Sequence, residues 1–227
     1  MEIENVSGNT YYFPGSTAIG MYREGKRVTI IDTGIDENKI RKIFNFIMDE
    51  SLTLENVIIS HSHADHSGGN DFLQKRGFTK FFSSEIEAFF LKHPEFFPYI
   101  LFGSSYPEFL NTKFIVPAKT EHVYPVSSLK NFKIFEFEGH AFGMIVLKTP
   151  DNIVFLADTM FSEKIIEKHP IPFHIDTEKY INAMDSAEKI DADGYIISHG
   201  GFYKSISDLK KINVGAIEKI VEIIEKN

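Results

Sequence analysis

The stretch His61-Ser62-His63-Ala64-Asp65-His66-Ser67-Gly68-Gly69 places three histidines and an aspartate within six positions. It follows Val57-Ile58-Ile59, an apolar run that predicts a buried strand. Side chains two positions apart point the same way in an extended chain, so His61 and His63 are able to contact one ion together. A turn after them lets Asp65 and His66 face a second ion. Imidazole and carboxylate are ligands that zinc accepts, and they also suit iron and manganese.

Three further polar residues each follow a stretch that predicts a strand, alternating before His140 and mainly apolar before the other two. His140 follows residues 135–139, Asp158 follows residues 153–157 and His199 follows residues 195–198. Strand ends at one edge of a sheet lie close together, and folds that mix helices and strands place their sites there. We therefore expect these three side chains to join the histidine-rich stretch.

The remaining pattern alternates strands with helices. Residues 28–31 predict a strand, and residues 38–48 predict an amphipathic helix with Ile40, Ile43, Phe44 and Ile47 on one face. Residues 144–147 and 153–156 predict a hairpin, and residues 207–225 predict a closing helix. This mixture indicates a layered fold of helices and strands. Gly68 and Gly69 are expected to permit backbone conformations that other residues resist.

Seven of these residues, in this order, resemble the metallo-β-lactamase fold superfamily of hydrolases. The family's His-x-His-x-Asp-His motif matches the 61–66 stretch, and its later ligands match three residues further along the chain. The matched positions are His61, His63, Asp65, His66, His140, Asp158 and His199. The resemblance implies an α+β fold, a four-layered αββα sandwich with the site at one edge of two facing sheets. It covers most of the chain, and we expect residues 1–227 to form a single domain.

The resemblance also implies how the metals are held. A first metal takes His61, His63 and His140, and a second takes Asp65, His66 and His199. Asp158 bridges the two metals by the same resemblance. The expected cofactor is a pair of zinc ions, with iron or manganese as alternatives. The implied chemistry is attack by a metal-bridging hydroxide, with Asp65 as the catalytic residue that carries a proton to the leaving group.

Asp32, in Ile31-Asp32-Thr33-Gly34, has two interpretations. The resemblance matches it to the turn that supports the metal loop, where it orients a ligand histidine and fixes its tautomer. The alternative is an aspartate that only forms a turn.

Differences from known members of the superfamily narrow the range of candidate functions. The chain lacks the cysteine ligand of one large β-lactamase class, and only 28 residues follow His199, too few for the helical domain of glyoxalase II enzymes. Phe161 stands where acyl-homoserine lactonases have a tyrosine. The leading hypothesis is hydrolysis of a small ester, thioester or lactone. The alternatives are a mononuclear iron oxygenase like the persulfide dioxygenases, and a metal-binding module without turnover.

Composition excludes several other classes. The 227 residues include no cysteine, so disulfides and thiolate nucleophiles are impossible. The net charge of −8 disfavours a nucleic-acid partner. Neither a signal peptide nor an apolar run of membrane-spanning length is evident, and a cytoplasmic location without membrane contact is expected.

An aromatic-rich insert at residues 89–114 holds seven Phe and two Tyr. It lies between His66 and His140, and three interpretations stay open. It forms a pocket wall that selects an apolar small-molecule substrate, a contact of a homodimer, or ordinary core packing.

Overall fold

The computed structural model describes residues 2–103 and 105–226 of the chain. Its first sheet has seven strands in sequence order, antiparallel from the first to the fourth and parallel from the fourth to the seventh. These strands are β1 (Glu4–Ser7), β2 (Thr10–Phe13), β3 (Ile19–Glu24), β4 (Arg27–Ile31), β5 (Thr53–Ile58), β6 (Phe81–Ser83) and β7 (Val123–Pro125).

The second sheet has five strands in the order β12-β11-β10-β9-β8. Only β10 and β11 pair in parallel, and the other neighbours are antiparallel. The strands are β8 (Lys133–Glu136), β9 (Ile145–Lys148), β10 (Ile153–Ala157), β11 (Gly194–Ile197) and β12 (Gly201–Tyr203). The hairpin expected around residues 150–152 is the antiparallel pair of β9 and β10.

Helices cover the outer face of each sheet. They are α1 (Glu37–Asp49), α2 (Ala64–Ser67), α3 (Asn70–Gln74), α4 (Glu85–Lys92), α5 (Phe97–Phe102), α6 (Glu163–Lys168), α7 (Thr177–Glu188) and α8 (Ser207–Glu225). Helix α1 packs on the first sheet through Ile40, Ile43 and Ile47, the face that the 3.6-residue period predicted. Helices α7 and α8 pack on the second sheet.

Three apolar cores separate four layers. One lies between α1, α3 and α4 and the first sheet, a second lies between the two sheets, and a third lies between the second sheet and α6–α8. Strand β10 shows how the sequence builds two of them. Val154 and Leu156 enter the core beneath the helices, whereas Ile153 and Phe155 enter the core between the sheets. A strand buried on both faces is apolar at every position. The expected α+β, four-layered αββα sandwich is confirmed.

Strands β1, β2 and β3 were not predicted from the sequence, and neither were β7 and β12. The first three mix polar and aromatic side chains without a long apolar run, although only β1 is largely exposed and β2 and β3 are mostly buried. Gly20 on β3 lies against the ring of Phe155, where a Cβ would stand 2.3 Å from Cε1. The two sheets approach closely at this point because residue 20 has no side chain.

Among the described residues, no helix is both long and apolar enough to cross a membrane. The cytoplasmic location and the single-domain boundary of 1–227 stay predictions from the sequence.

Candidate metal centre

All seven residues of the sequence motif lie together at one edge of the two sheets. Their side chains form two groups, and within each group the candidate ligand atoms lie within 4.8 Å of one another. The first group contains His61, His63 and His140, and the second contains Asp65, His66, Asp158 and His199. This division matches the two sets that the sequence resemblance implied, with Asp158 in the second.

The three histidines of the first group converge on one point. His63 Nδ1 lies 3.0 Å from His61 Nε2 and 3.1 Å from His140 Nε2. His61 is fully buried and His140 is 2% exposed. Nitrogens of three imidazoles this close together form a cradle for a cation, because neutral imidazole nitrogens present lone pairs.

The turn that separates the two groups is helix α2, which begins directly after His63. His63 keeps an extended ψ of 148°, so its side chain points to the same side as His61. One turn of helix then directs Asp65 and His66 to the second group. The sequence prediction of an extended pair followed by a turn is confirmed.

The second group is held by short contacts between carboxylates and imidazoles. Asp65 Oδ2 lies 3.1 Å from His199 Nε2, and Asp158 Oδ2 lies 3.3 Å from the same nitrogen. Asp158 Oδ1 lies 3.2 Å from His66 Nε2, while its Oδ2 is 3.4 Å from His140 Nε2 in the first group. Asp158 therefore stands between the two groups.

Two buried atoms of this cluster lack a hydrogen bond of acceptable geometry to the described residues. They are His66 Nε2 and Asp158 Oδ1. Leaving a buried polar atom without a partner is costly, and native proteins rarely do so. A donor set of imidazole and carboxylate with unpaired buried atoms fits a bound divalent cation.

The strand before Asp158 is distorted where it presents this side chain. The register between β10 and β11 shifts between Phe155 and Ala157, and Ala157 has a φ of 49°. An alanine in the left-handed region carries backbone strain of about 1–3 kcal/mol, a feature that clusters at functional sites. The distortion turns Asp158 into the cluster.

Four of the histidines are fixed by a partner at Nδ1, which leaves Nε2 for the cluster. His66 Nδ1 lies 2.8 Å from Asp32 Oδ2, and His61 Nδ1 lies 3.0 Å from Ser60 Oγ. His140 Nδ1 and His199 Nδ1 lie 2.9 and 2.6 Å from the carbonyl oxygens of Phe173 and Ser16, respectively. Such partners select the tautomer with the proton on Nδ1 and orient the ring.

Asp32 both forms the turn and supports a ligand histidine. Its φ of 63° makes it part of the turn, and its carboxylate contacts His66 and accepts hydrogen bonds from Ser60 N at 2.7 Å and Ser60 Oγ at 2.9 Å. A left-handed φ is several-fold enriched for Asp and Asn. The turn therefore places a buried carboxylate beneath the histidine-rich stretch.

Electrostatics differ between the two groups. Burial lowers the pKa of His63 to about 3, and it lowers the pKa of His61 and His140 as well. Burial alone would also lower the pKa of His199, but the Asp158 and Asp65 carboxylates raise it to about 10. The first group is therefore neutral at pH 7 without metal, and the second is an ion-paired cluster that releases protons when a cation binds.

Glu87 on α4 is a buried carboxylate that sequence analysis did not single out. Its Oε2 accepts a hydrogen bond from Ser62 N at 2.8 Å, and its Oε1 accepts one from Gly143 N at 3.0 Å. Ser62 lies between His61 and His63, and Gly143 follows His140 by three residues. Burial raises the pKa of Glu87. This carboxylate ties together the two loops that carry the first group.

We expect Glu87→Gln to loosen these loops. A glutamine amide replaces one acceptor oxygen with a donor, which leaves one of the two backbone N–H groups buried and unpaired. The cost is about 1–3 kcal/mol of unfolding free energy, measured by urea denaturation. Glu85→Gln, on the exposed face of the same helix, is the matched control. Equal stability of the two variants would contradict this role.

The glycines of the motif have a different function from the one expected. Gly68 and Gly69 have φ values of −61° and −83°, which any residue adopts. A Cβ on Gly68 would lie 2.2 Å from the carbonyl oxygen of Ile35, and one on Gly69 would lie 2.6 Å from that of Thr33. The expectation of unusual backbone conformations was wrong, because the glycines serve close approach of the backbone that follows Asp32.

The loop before β3 supports the second group from its outer side. Ser16 supplies the carbonyl to His199, and Thr17 Oγ1 lies 3.4 Å from Asp65 Oδ2. Lys39 Nζ donates to the carbonyl oxygens of Phe13, Pro14 and Thr17 at 2.8–3.1 Å, and burial lowers its pKa to about 8. Most of these contacts use backbone atoms, so no pattern of side chains in the sequence reveals them.

A cavity of about 530 Å³ opens above the two groups. The insert contributes Phe97, Leu101 and Phe114 to its wall. This geometry supports the pocket-wall interpretation of residues 89–114, while the homodimer stays a prediction. His169 also lines the cavity, whereas His174 contacts Thr177 and Pro172.

Comparisons with known proteins agree with this geometry. The sequence profile of the metallo-beta-lactamase superfamily matches residues 12–199. Hydroxyacylglutathione hydrolase from Shewanella loihica (strain ATCC BAA-1088 / PV-4) is 18% identical over 196 residues, covering 85% of this chain and 68% of that protein.

Solved structures share the fold at low sequence identity. The metallo-beta-lactamase FIM-1 from Pseudomonas aeruginosa in the mono-zinc form has a TM-score of 0.71 and 16% identity, covering 96% of this chain and 95% of that one. The metallo-beta-lactamase from Pontibacter korlensis has a TM-score of 0.70 and 13% identity, covering 96% and 98%. The profile match spans more than half of the sequence, and this chain therefore belongs to the metallo-beta-lactamase superfamily, the family of metal-dependent hydrolases that its motif indicated.

Proposed function

We propose that this chain is a dinuclear metal-dependent hydrolase of a small ester, thioester or lactone. The observation that carries the proposal is the pair of ligand groups beneath one cavity, with Asp158 between them. One carboxylate oxygen of Asp158 lies 3.2 Å from His66 Nε2, and the other lies within 3.4 Å of both His140 and His199. A carboxylate in this position is suited to contact two cations at once.

The proposed ligands follow the two groups. His61, His63 and His140 would hold a first ion, and Asp65, His66 and His199 would hold a second, with Asp158 shared. Bound divalent ions lower the pKa of water and polarise a carbonyl oxygen. We propose zinc as the metal, because neutral imidazoles dominate the first group. The superfamily neighbour in its mono-zinc form is consistent with this choice.

Asp65 is the proposed catalytic residue. Its side chain is 29% exposed and lines the cavity, whereas Asp158 is 4% exposed. Its Oδ2 faces His199 Nε2 and Thr17 Oγ1, which fixes the carboxylate in one orientation. A carboxylate that touches both the cluster and the cavity would be able to accept a proton from the attacking water and pass it to the leaving group.

The relative from Shewanella loihica supports the substrate class. Its name, hydroxyacylglutathione hydrolase, designates a thioester hydrolase. Esters, thioesters and lactones share a carbonyl carbon with a single leaving group, so one site is suited to all three.

Metal content and hydrolysis test the proposal together. The protein is loaded with zinc, iron or manganese in separate samples, and the ions per chain are counted by mass spectrometry. We expect two ions per chain and hydrolysis of a chromogenic ester, thioester or lactone that a chelator abolishes.

Two outcomes would contradict the proposal. Oxygen uptake with a glutathione persulfide by a chain holding one iron, without hydrolysis, would favour the oxygenase that the motif also resembles. Metal binding without turnover of any substrate in the panel would favour a module that only binds metal.

A further inference from the structure

The cavity above the candidate metal centre has mainly apolar walls. Apart from the cluster itself, its larger lining side chains come from two segments, the insert and the chain that follows Asp158. The main ones are Phe97, Leu101, Phe114, Phe161, Ile171 and Phe173. Two of these rings also contact the cluster. Phe97 packs on His63 at 4.8 Å between ring centroids, and Phe161 stacks on His199 at 5.5 Å.

The described residues of these walls include no Lys, Arg, Asp or Glu outside the cluster. Among those residues outside the cluster, His169 is the single titratable side chain. A carboxylate brought against such a wall loses water without gaining a partner, and an unpaired charge is disfavoured far more strongly than a neutral polar group. A methylene in the same place contributes favourably, because apolar surface leaves water.

We infer that this cavity selects substrates whose acyl group is uncharged and apolar. The inference rests on the proposed function, because it concerns the substrate of the same site. The substrate of this chain is therefore an ester, thioester or lactone whose acyl group is apolar.

Two neighbouring grooves each contain a lysine. One shares Leu101 and Phe173 with the cavity and includes Lys179, which is paired with Glu138. The lysine of the other groove has no such partner among the described ion pairs and needs a control. That groove shares Ile165 and His199 with the cavity and includes Lys164 on α6. Lys164 is exposed, so its charge is screened by water and contributes little to binding a substrate in the cavity. Lys164→Gln should leave the preference between neutral and anionic substrates unchanged.

Two esters of equal chain length test the inference. p-Nitrophenyl hexanoate ends in a methyl group, and the mono-p-nitrophenyl ester of adipic acid ends in a carboxylate. We expect the zinc-loaded protein to favour the hexanoate by about 10- to 100-fold in kcat/KM. Calorimetry provides a readout that does not depend on turnover. In the metal-free protein, where no ion is present to coordinate a carboxylate, hexanamide should bind at least about tenfold more tightly than adipamate.

A charge placed on the wall should reverse part of the preference. Ile171 is 69% exposed, so a substitution there leaves the core intact. Ile171→Lys should shift the ratio of the two kcat/KM values towards the adipate by about two- to fivefold. Ile171→Gln is the matched control, because it removes the apolar surface without adding charge, and it should not raise hydrolysis of the adipate.

The outcomes separate the inference from the proposed function. If neither ester is hydrolysed but hexanamide still binds more tightly than adipamate, the hydrolase proposal fails and the charge preference stands. If both esters are hydrolysed and the adipate is preferred or equal, the hydrolase stands and the inference is overturned. A loss of adipate hydrolysis in Lys164→Gln would also overturn it, since the groove would then be binding an anion.

Discussion

Replacing Asp158 with asparagine is expected to remove one of the two proposed ions and nearly all hydrolysis. Asparagine keeps the shape of the side chain but not its charge, and one of the two oxygens that face His66, His199 and His140 becomes an amide nitrogen. The decrease in kcat/KM should exceed about 100-fold, the upper end of the cost of losing a group that only orients a ligand. Metal analysis should fall from two ions per chain towards one.

The same variant should change how the metal-free protein responds to pH. The Asp158 carboxylate contributes to the raised pKa of about 10 at His199. A histidine whose pKa is higher in the folded state than in the unfolded state stabilises the fold fully below the unfolded value of about 6.5. That contribution is lost as pH rises from about 6.5 through about 10. We expect the metal-free wild type to lose stability across this window and Asp158→Asn to lose less of it.

Chemical denaturation at several pH values measures this difference, and the histidine titration followed by nuclear magnetic resonance locates His199 directly. Asp208→Asn is the matched control, because Asp208 is 92% exposed at the start of α8. A variant at position 158 that keeps two ions per chain and wild-type turnover would refute the bridging role.

The candidate ligands could be predicted from the sequence because the ability to bind a metal depends on the type of side chain. Imidazoles and carboxylates at the ends of apolar runs are uncommon enough to be noticed, and strand ends meet at a sheet edge. His140, Asp158 and His199 were predicted on this basis to join residues 61–66, and the structure brings them together. The four layers were predicted from the resemblance to a family. The side chains of β10, which alternately enter two different cores, agree with that prediction.

The supports of these ligands could not be predicted in the same way. His140 and His199 are oriented by the carbonyl oxygens of Phe173 and Ser16, and a carbonyl is present at every position of every sequence. Glu87 lies 25 residues from the backbone group it binds at Ser62, so its role depends on the packing of α4 against β6 and β7. Such contacts become visible only when the fold brings distant segments together.

Asp32 is the support for which the sequence offered a signal, although its two interpretations could not be separated. An aspartate before Thr33 and Gly34 is expected in a local turn, and it is expected equally well as the buried partner of a histidine. The structure shows both, because the left-handed φ of 63° is what aims the carboxylate at His66. Substitutions at this position can therefore separate the backbone effect from the electrostatic one.

Three substitutions of Asp32 are expected to rank in a defined order. In Asp32→Asn, asparagine tolerates the left-handed backbone, but it presents an amide nitrogen to the donors of Ser60 and His66. The affinity of the second ligand group for zinc should therefore fall by about 10- to 100-fold. Asp32→Ala also leaves His66 Nδ1 and the Ser60 donors without an acceptor. Breaking such a buried pair costs about 3–5 kcal/mol of unfolding free energy.

Asp32→Gly completes the series, because it removes the same acceptor while restoring backbone freedom. Glycine populates positive φ without the steric penalty of about 1–2 kcal/mol that other residues carry there. Asp32→Gly should therefore be more stable than Asp32→Ala by about that amount, with an equally weakened zinc site. Zinc affinity measured by competition with a chelator, beside urea denaturation of the metal-free protein, distinguishes the two effects. If the alanine and glycine variants bind zinc as tightly as the wild type, Asp32 only forms a turn, and the histidine-rich stretch holds its geometry without it.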